Sequence, residues 1–291
     1  MLPFLGYVVD PDADKLIIYH NPTGAATFDP SITTKESTTV IWQTEAGTTV
    51  TTGTTHNFSY TPTAGPKKCT VTVRGGLGLV TVIDCGSDYI TLIKGIEKTR
   101  TTIFYAHTNS SFVFNLGNVP FCTVINLNYI TGGTINGSIT QLNRAGIAWY
   151  LNSGPNITGS LLDIPITVGT IWLFGCTGIA PASIAHLVAI RDIRIYSMGW
   201  TAQQNTGVLL SAWGARANYT YASGIALRIS APTGTPVTEP PEEDGPGHDT
   251  SDWAWNAGTS RYDPLTGYAV ISDLQTDFYS EGFKPWAVTI V

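Results

Sequence analysis

A spacing that returns every 22 residues constrains this chain more than any other feature. Val168, Ile171, Leu173, Cys176 and Ile179 are followed 22 residues later by Ile190, Ile193, Ile195 and Met198, and preceded at the same offset by Trp149, Leu151, Gly154 and Ile157. Less regular copies stand at Val119, Cys122, Val124, Leu127 and Ile130, around Ile103 and Tyr105, and at Leu77, Val80, Val82 and Cys85. Within each copy apolar residues alternate with others over a few positions, the period of a β-strand. A unit with one short strand cannot bury its apolar side alone, so the repeats must stack on one another.

The spacing resembles the L-x-x-L-x-L-x-x-N/C-x-x-L pattern of the leucine-rich repeat. That resemblance implies a solenoid over residues 77–232 whose strands form a parallel sheet lining a concave face. Cys85 and Cys176 then fall where the family places Asn or Cys, and Cys122 reads as an inward strand residue, so these are expected to be small, inert, buried thiols. No C-x-x-C and no zinc-spaced His accompanies the four cysteines, so the sequence predicts free thiols, no metal site and no cofactor.

Near the C-terminus, Gly207 to Ala217 carries apolar residues near helical spacing and leads into a strand at Ala226 to Ser230. Pro264 to Leu274 repeats the arrangement, with Asp263 as the expected N-cap and Pro264 at the first helical position, before a strand at Trp286 to Val291. Residues 263–291 therefore read as a capping unit. Leu265-Thr266-Gly267-Tyr268 and the run from Glu281 to Thr289 resemble the closing unit of leucine-rich-repeat proteins encoded by bacteriophages and by gut or environmental bacteria. Residues 233–262, acidic and rich in Pro and Gly, read as a long surface loop. Trp253 and Trp255 within it are large for a passive linker, so they either dock back on the solenoid or contact a partner.

Over residues 1–76 short β-branched and aromatic stretches alternate with Pro and Gly turns, as in a small antiparallel sandwich. Trp42, Gly47, the run His56 to Tyr60, Ala64-Gly65 and the alternation Cys69 to Val73 occur in that order. They resemble the polycystic-kidney-disease type of immunoglobulin-like module, although Thr44-Glu45-Ala46-Gly47 replaces its usual Gly-Asp-Gly turn. Asp10, Asp12 and Asp14 alternate, but Lys15 and Asn21 occupy positions where a calcium loop needs Gly and Glu, so a solvated turn is expected. The fold class expected for the whole chain is mainly β, with short helices in the C-terminal units.

Only 12% of residues are charged, against 30 glycines and 42 threonines, which excludes a helical bundle. The net charge of -6, with 15 scattered Lys and Arg, argues against nucleic acid and anionic membranes as partners. No apolar run spans a membrane, and the first residues lack the parts of an export signal, so synthesis and folding in a cytosol are expected. No catalytic residue emerges. A G-x-S-x-G elbow is missing, and the Gly-Ser pairs at 86, 137 and 159 fall on repeat turns. The five histidines are remote from one another, with His186 in an apolar segment. Asp84 and Asp192, the acids nearest the strands, read as distant coil residues, unsuited to glycoside cleavage.

Strand alternation instead singles out the positions opposite the core: Tyr150 and Asn152, Trp172 and Phe174, Arg194 and Tyr196, then Arg228 with Ser230. Stacked in parallel they make ladders rich in aromatic and Arg side chains, the groups that anchor protein interfaces and stack on sugars. Either this face binds a ligand, or the N-terminal module, the 233–262 loop or a neighbouring copy covers it. Trp172, pointing outward, is expected to support little of the core. The expectation is a noncatalytic bacteriophage virion protein of head-decoration or fibre type, located in the virion and contacting other virion proteins, itself, or a host-surface glycan or protein. A bacterial surface adhesin or carbohydrate-binding protein of the same architecture, extracellular or at the cell surface, is the alternative. A carbohydrate-active enzyme ranks third for want of a motif.

Overall fold

The computed structural model describes residues 12–22, 26–86, 89–106, 112–127, 130, 133–152, 154–219, 225–233, 252–276 and 287–290. Among the described residues the chain is mainly β, with both parallel and antiparallel pairing and two α-helices. It divides into two compact units, one chiefly of residues up to Cys122 and one chiefly of residues from Ile135 onward.

In the first unit, the β-branched and aromatic runs form β1 (Leu16–His20), β2 (Ser31–Thr44), β3 (Gly47–Asn57), β4 (Lys67–Val73), β5 (Val80–Cys85), β6 (Ile90–Lys94), β7 (Ile103–Ala106) and β8 (Val113–Asn115). β1 lies antiparallel between β4 and β6, and β2 is antiparallel to β3, β4 and β5. Backbone pairing thus continues across residue 76 without a break. β5 pairs in parallel with β7, and β6 with β8. Trp42 is fully buried and stacked on Phe58, with ring centroids 5.1 Å apart, while His20 stacks on Phe28 at 4.1 Å. Asp12 to Asp14 form a turn in which the Asp12 carboxylate accepts from Lys68 Nζ at 2.7 Å, and that cation holds its pKa below the usual value. Asp10 lies outside the described residues.

In the less regular repeats Leu77, Val80, Cys85, Val119, Cys122, Leu127 and Ile130 are buried as expected, but the inward pair of the strand falls three residues later, at Ile83 with Cys85 and at Ile125 with Leu127. Ile83, Phe104 and Ile125 are buried, whereas Val82, Ile103 and Val124 are only half-buried. Val80, Ile83 and Cys85, like Cys122, Ile125 and Leu127, keep the spacing of Val168, Ile171 and Leu173, so each of these copies is the same repeat placed one apolar step further along the chain. Parallel pairing aligns the buried row, with Ile83 opposite Phe104. Cys122 is buried but precedes β9 (Val124–Leu127), so it is not a strand residue.

The second unit contains two parallel sets of strands. β10 (Thr134–Ser138), β12 (Asn156–Ser160) and β14 (Ile179–Ala180) form one; β11 (Ala148–Asn152), β13 (Thr170–Phe174), β15 (Asp192–Tyr196), β16 (Ala226–Ile229) and β19 (Ala287–Ile290) form the other. β11, β13 and β15 pair at an offset of 22 residues, so Trp149, Ile171 and Ile193 make one buried row and Leu151, Leu173 and Ile195 another. The Gly-Ser pairs end β10 and β12. Ser138 and Ser160 cap the 3-10 turns that follow, in reciprocal boxes with Gln141 and Asp163. Gly159 has φ +133°, and a Cβ there would stand 2.6 Å from Ile139 Cγ1, so both conformation and space require glycine.

Helix α1 (Ala202–Gly214) begins earlier than the apolar spacing predicts, because Thr201 caps it reciprocally with Gln204. Helix α2 (Gly267–Thr276) begins later. Asp263 and Pro264 end a strand instead of opening the helix, and Thr266 Oγ1 accepts from Ala269 N at 3.3 Å. Residues 252–264 are not loop throughout: β17 (Trp253–Asn256) and β18 (Arg261–Pro264) form an antiparallel hairpin. Residues 234–251 of the expected loop lie outside the described residues.

All four cysteines are buried free thiols. Burial pushes those of Cys69, Cys122 and Cys176 up to about 12, and that of Cys85 upward as well, so none offers a thiolate near neutrality. Folded protein at pH 8 should leave a thiol reagent unconsumed, while unreduced protein in denaturant should consume four equivalents. Fewer than four in denaturant would reveal a cross-link.

Candidate functional site

Four neighbouring strands, β11, β13, β15 and β16, place the outward side chains in two ladders. Tyr150 faces Trp172, which faces Arg194, which faces Arg228; Asn152, Phe174 and Tyr196 form the parallel ladder. Adjacent rungs are roughly 4.8 Å apart by sheet geometry, close enough for rings to touch. Tyr150 meets Trp172 edge-on at 4.7 Å, and Phe174 meets Tyr196 at 4.9 Å. The Arg194 guanidinium lies over the Trp172 ring, 3.6 Å from its centroid.

Asp192 completes this arrangement, and strand alternation alone passed over it. It is the first residue of β15, not a coil residue, and stands on the same side as Arg194. Its carboxylate accepts from Trp172 Nε1 at 3.0 Å and from Arg194 Nε at 3.1 Å and Nη2 at 3.0 Å. The signal was present in the sequence as Asp-x-Arg at i, i+2 on one strand face. Trp172 is therefore held on three sides, by Tyr150, Arg194 and Asp192. All the ladder residues are half-buried except Arg228, which is exposed. Asp84, the other acid read as coil, is in β5 of the first unit.

The remaining candidates separate. Trp253 is 1% exposed and belongs to the interior of its unit, which leaves it unable to touch a partner directly. The backbone of Trp255 pairs with Tyr262; its side chain lies outside the described residues. His186 is half-buried with Nε2 3.0 Å from the Ile164 carbonyl, His20 and His56 are buried in the first unit, and His107 and His248 fall outside the described residues. A cavity of about 370 Å³ runs along the 3-10 turns between Ile139, Leu142, Leu162, Ile164 and His186. Its carboxylate, Asp163, is already committed to the Ser160 amide at 2.7 Å, so no acid pair faces the space. Among the described residues no three His, Cys, Asp or Glu side chains converge as metal ligands, and no helix is long and apolar enough to cross a membrane.

The face can stack flat or apolar groups against its rings and accept hydrogen bonds from few directions, because its one carboxylate is occupied. It holds no nucleophile beside a base. No protein family, curated protein or solved structure matches this chain.

Proposed function

We propose that this chain is a noncatalytic binding protein of a bacteriophage particle, of head-decoration or fibre type, which engages its partner through the aromatic and Arg ladders of β11, β13, β15 and β16. The observation that carries the reading is the Trp172, Arg194 and Asp192 cluster, flanked by Tyr150 and by the Phe174 and Tyr196 pair. Rings locked on a rigid sheet lose little entropy on binding, which is how interface anchors are built. The accompanying fold reading is a leucine-rich-repeat-like solenoid preceded by an immunoglobulin-like module. The 22-residue offset of successive parallel strands supports the first part, and the stacking of Trp42 on Phe58 supports the second. The low charge, with abundant Thr and Gly, fits a virion protein. The same half-buried rings also suit sugars, which keeps a glycan-binding surface protein as the second reading.

Mass spectrometry of purified virions from the source sample tests the location, and peptides of this chain absent from the particles would overturn it. The face is tested by Arg228→Glu and Tyr196→Ala, measured for retention on those particles and on a glycan array. A hot-spot loss of about 2 kcal/mol, some 30-fold in affinity, is expected on one of the two supports. Wild-type retention by both variants on both supports would sink the reading.

The closed cluster also changes what removing the central ring should do. Trp172→Ala breaks a hydrogen bond to a carboxylate and a cation–π contact, so it should destabilise the fold by roughly 1–3 kcal/mol instead of leaving it unchanged. Urea denaturation of the variant checks this, and a midpoint equal to wild type would show the cluster to be energetically idle.

A further inference from the structure

Among the described residues β3 pairs only with β2, which leaves its other edge as a row of backbone donors and acceptors. The two-residue loop Glu45-Ala46 closes on the pair Thr44 and Gly47, and antiparallel pairs alternate between hydrogen-bonded and non-hydrogen-bonded. The backbone groups of Thr48, Val50 and Thr52 accordingly face away from β2. Exposed edges are usually guarded by charge, Pro or shortness. β3 is 11 residues long and contains none of Asp, Glu, Lys, Arg or Pro.

The segment Thr48-Thr49-Val50-Thr51-Thr52 reads the same in both directions. An antiparallel partner is read in reverse, so this palindrome meets its own copy residue for residue: Val50 on Val50, Thr49 on Thr51, Thr48 on Thr52. Threonine pairs opposite each other are favourable in sheets. The hydrogen-bond phase agrees, because the central Val50 is one of the outward-facing residues. Gly47 and Gly53, with φ of +125° and +137°, bound the regular segment at its two ends. Val50 is 59% exposed and stands beside Ile41 of β2, so a copy of β3 would cover it and extend an apolar strip across the junction.

We propose that β3 is a self-association edge whose occupant is β3 of a second copy, paired antiparallel about Val50 to give a two-fold dimer. This rests on the first unit alone and is independent of the binding face. In the full chain, Val50→Cys places two thiols across a hydrogen-bonded pair, where Cα atoms are about 5.5 Å apart and a disulfide can form. Since the native cysteines are buried, mild oxidation should yield a cross-linked dimer from Val50→Cys and much less from Thr55→Cys. In sedimentation velocity at roughly 10–100 μM, a range that populates small interfaces, wild type should run as a dimer and Val50→Lys as a monomer with an unchanged melting midpoint. The proposal is overturned by a monomeric wild type throughout that range, by a Val50→Lys dimer as strong as wild type, or by preferential cross-linking at Thr55→Cys.

Discussion

Leu173→Ala should lose roughly 2–5 kcal/mol of unfolding free energy, while Thr170→Ala, on the same strand, should stay within about 0.5 kcal/mol. Leu173 is fully buried between Leu151 and Ile195 in a row set by the 22-residue offset. Its neighbours are pinned by parallel pairing on both sides, so the space left by three missing carbons cannot close, and the cavity cost adds to the lost transfer energy. Thr170 lies on the other side of the alternation and is half-buried. Urea denaturation of both variants at constant slope gives the comparison. Equal losses would mean that the strand presents its other face to the core, since a slip of one residue exchanges the two.

Acid should loosen the first unit between pH 6.5 and about 4. His20 is 1% exposed, stacked on Phe28, with Nε2 3.0 Å from the Tyr60 hydroxyl. Burial lowers its pKa from 6.5 to about 4, with Glu45 pulling it upward and Lys67 downward by lesser amounts. His56, fully buried against Thr51 and Thr34, is also lowered by burial. The folded unit thus holds neutral imidazole, and the unfolded chain binds the proton more readily. The contribution is fully present above pH 6.5 and is lost as pH falls through 4, by roughly 3 kcal/mol for His20. Stability measured at pH 7, 5.5 and 4 should fall steeply in wild type and more gently in His20→Gln. Parallel pH profiles for the two proteins would rule out His20 as the acid-sensitive group.

The aromatic and Arg ladder was legible in the residues because period 2 and period 22 act together: the first says which side chains turn away from the core, and the second says which of them become neighbours. That Trp172 is tied down was not legible. It depends on the Arg194 side chain folding back over the ring and on Asp192 reaching both groups, which are choices of rotamer and not of spacing. The same limit applies to Trp253, whose place in a polar, Pro-rich stretch left docking and partner contact both open and whose burial accompanies a hairpin that the Pro and Gly content concealed.

By itself the sequence determined the β character of the chain, the strands through Leu16, Cys69, Trp149, Ile171 and Ile193, and the inward rows through Leu173. Each is a local alternation of apolar residues, enforced by burial on one side only. Tertiary structure alone decided which apolar positions of β5, β7 and β9 turn inward, because the run Val80, Val82, Ile83 and Cys85 allows two placements of the same spacing and the parallel pairing sets Ile83 beside Phe104. It also decided that β1 and β2 bond to strands on both sides of residue 76, so that composition marked a boundary that the backbone does not observe. The reason is common to both cases: alternation fixes a strand's faces, but its neighbours are chosen by chain segments far away, whose backbone hydrogen bonds carry no imprint in the residues they join.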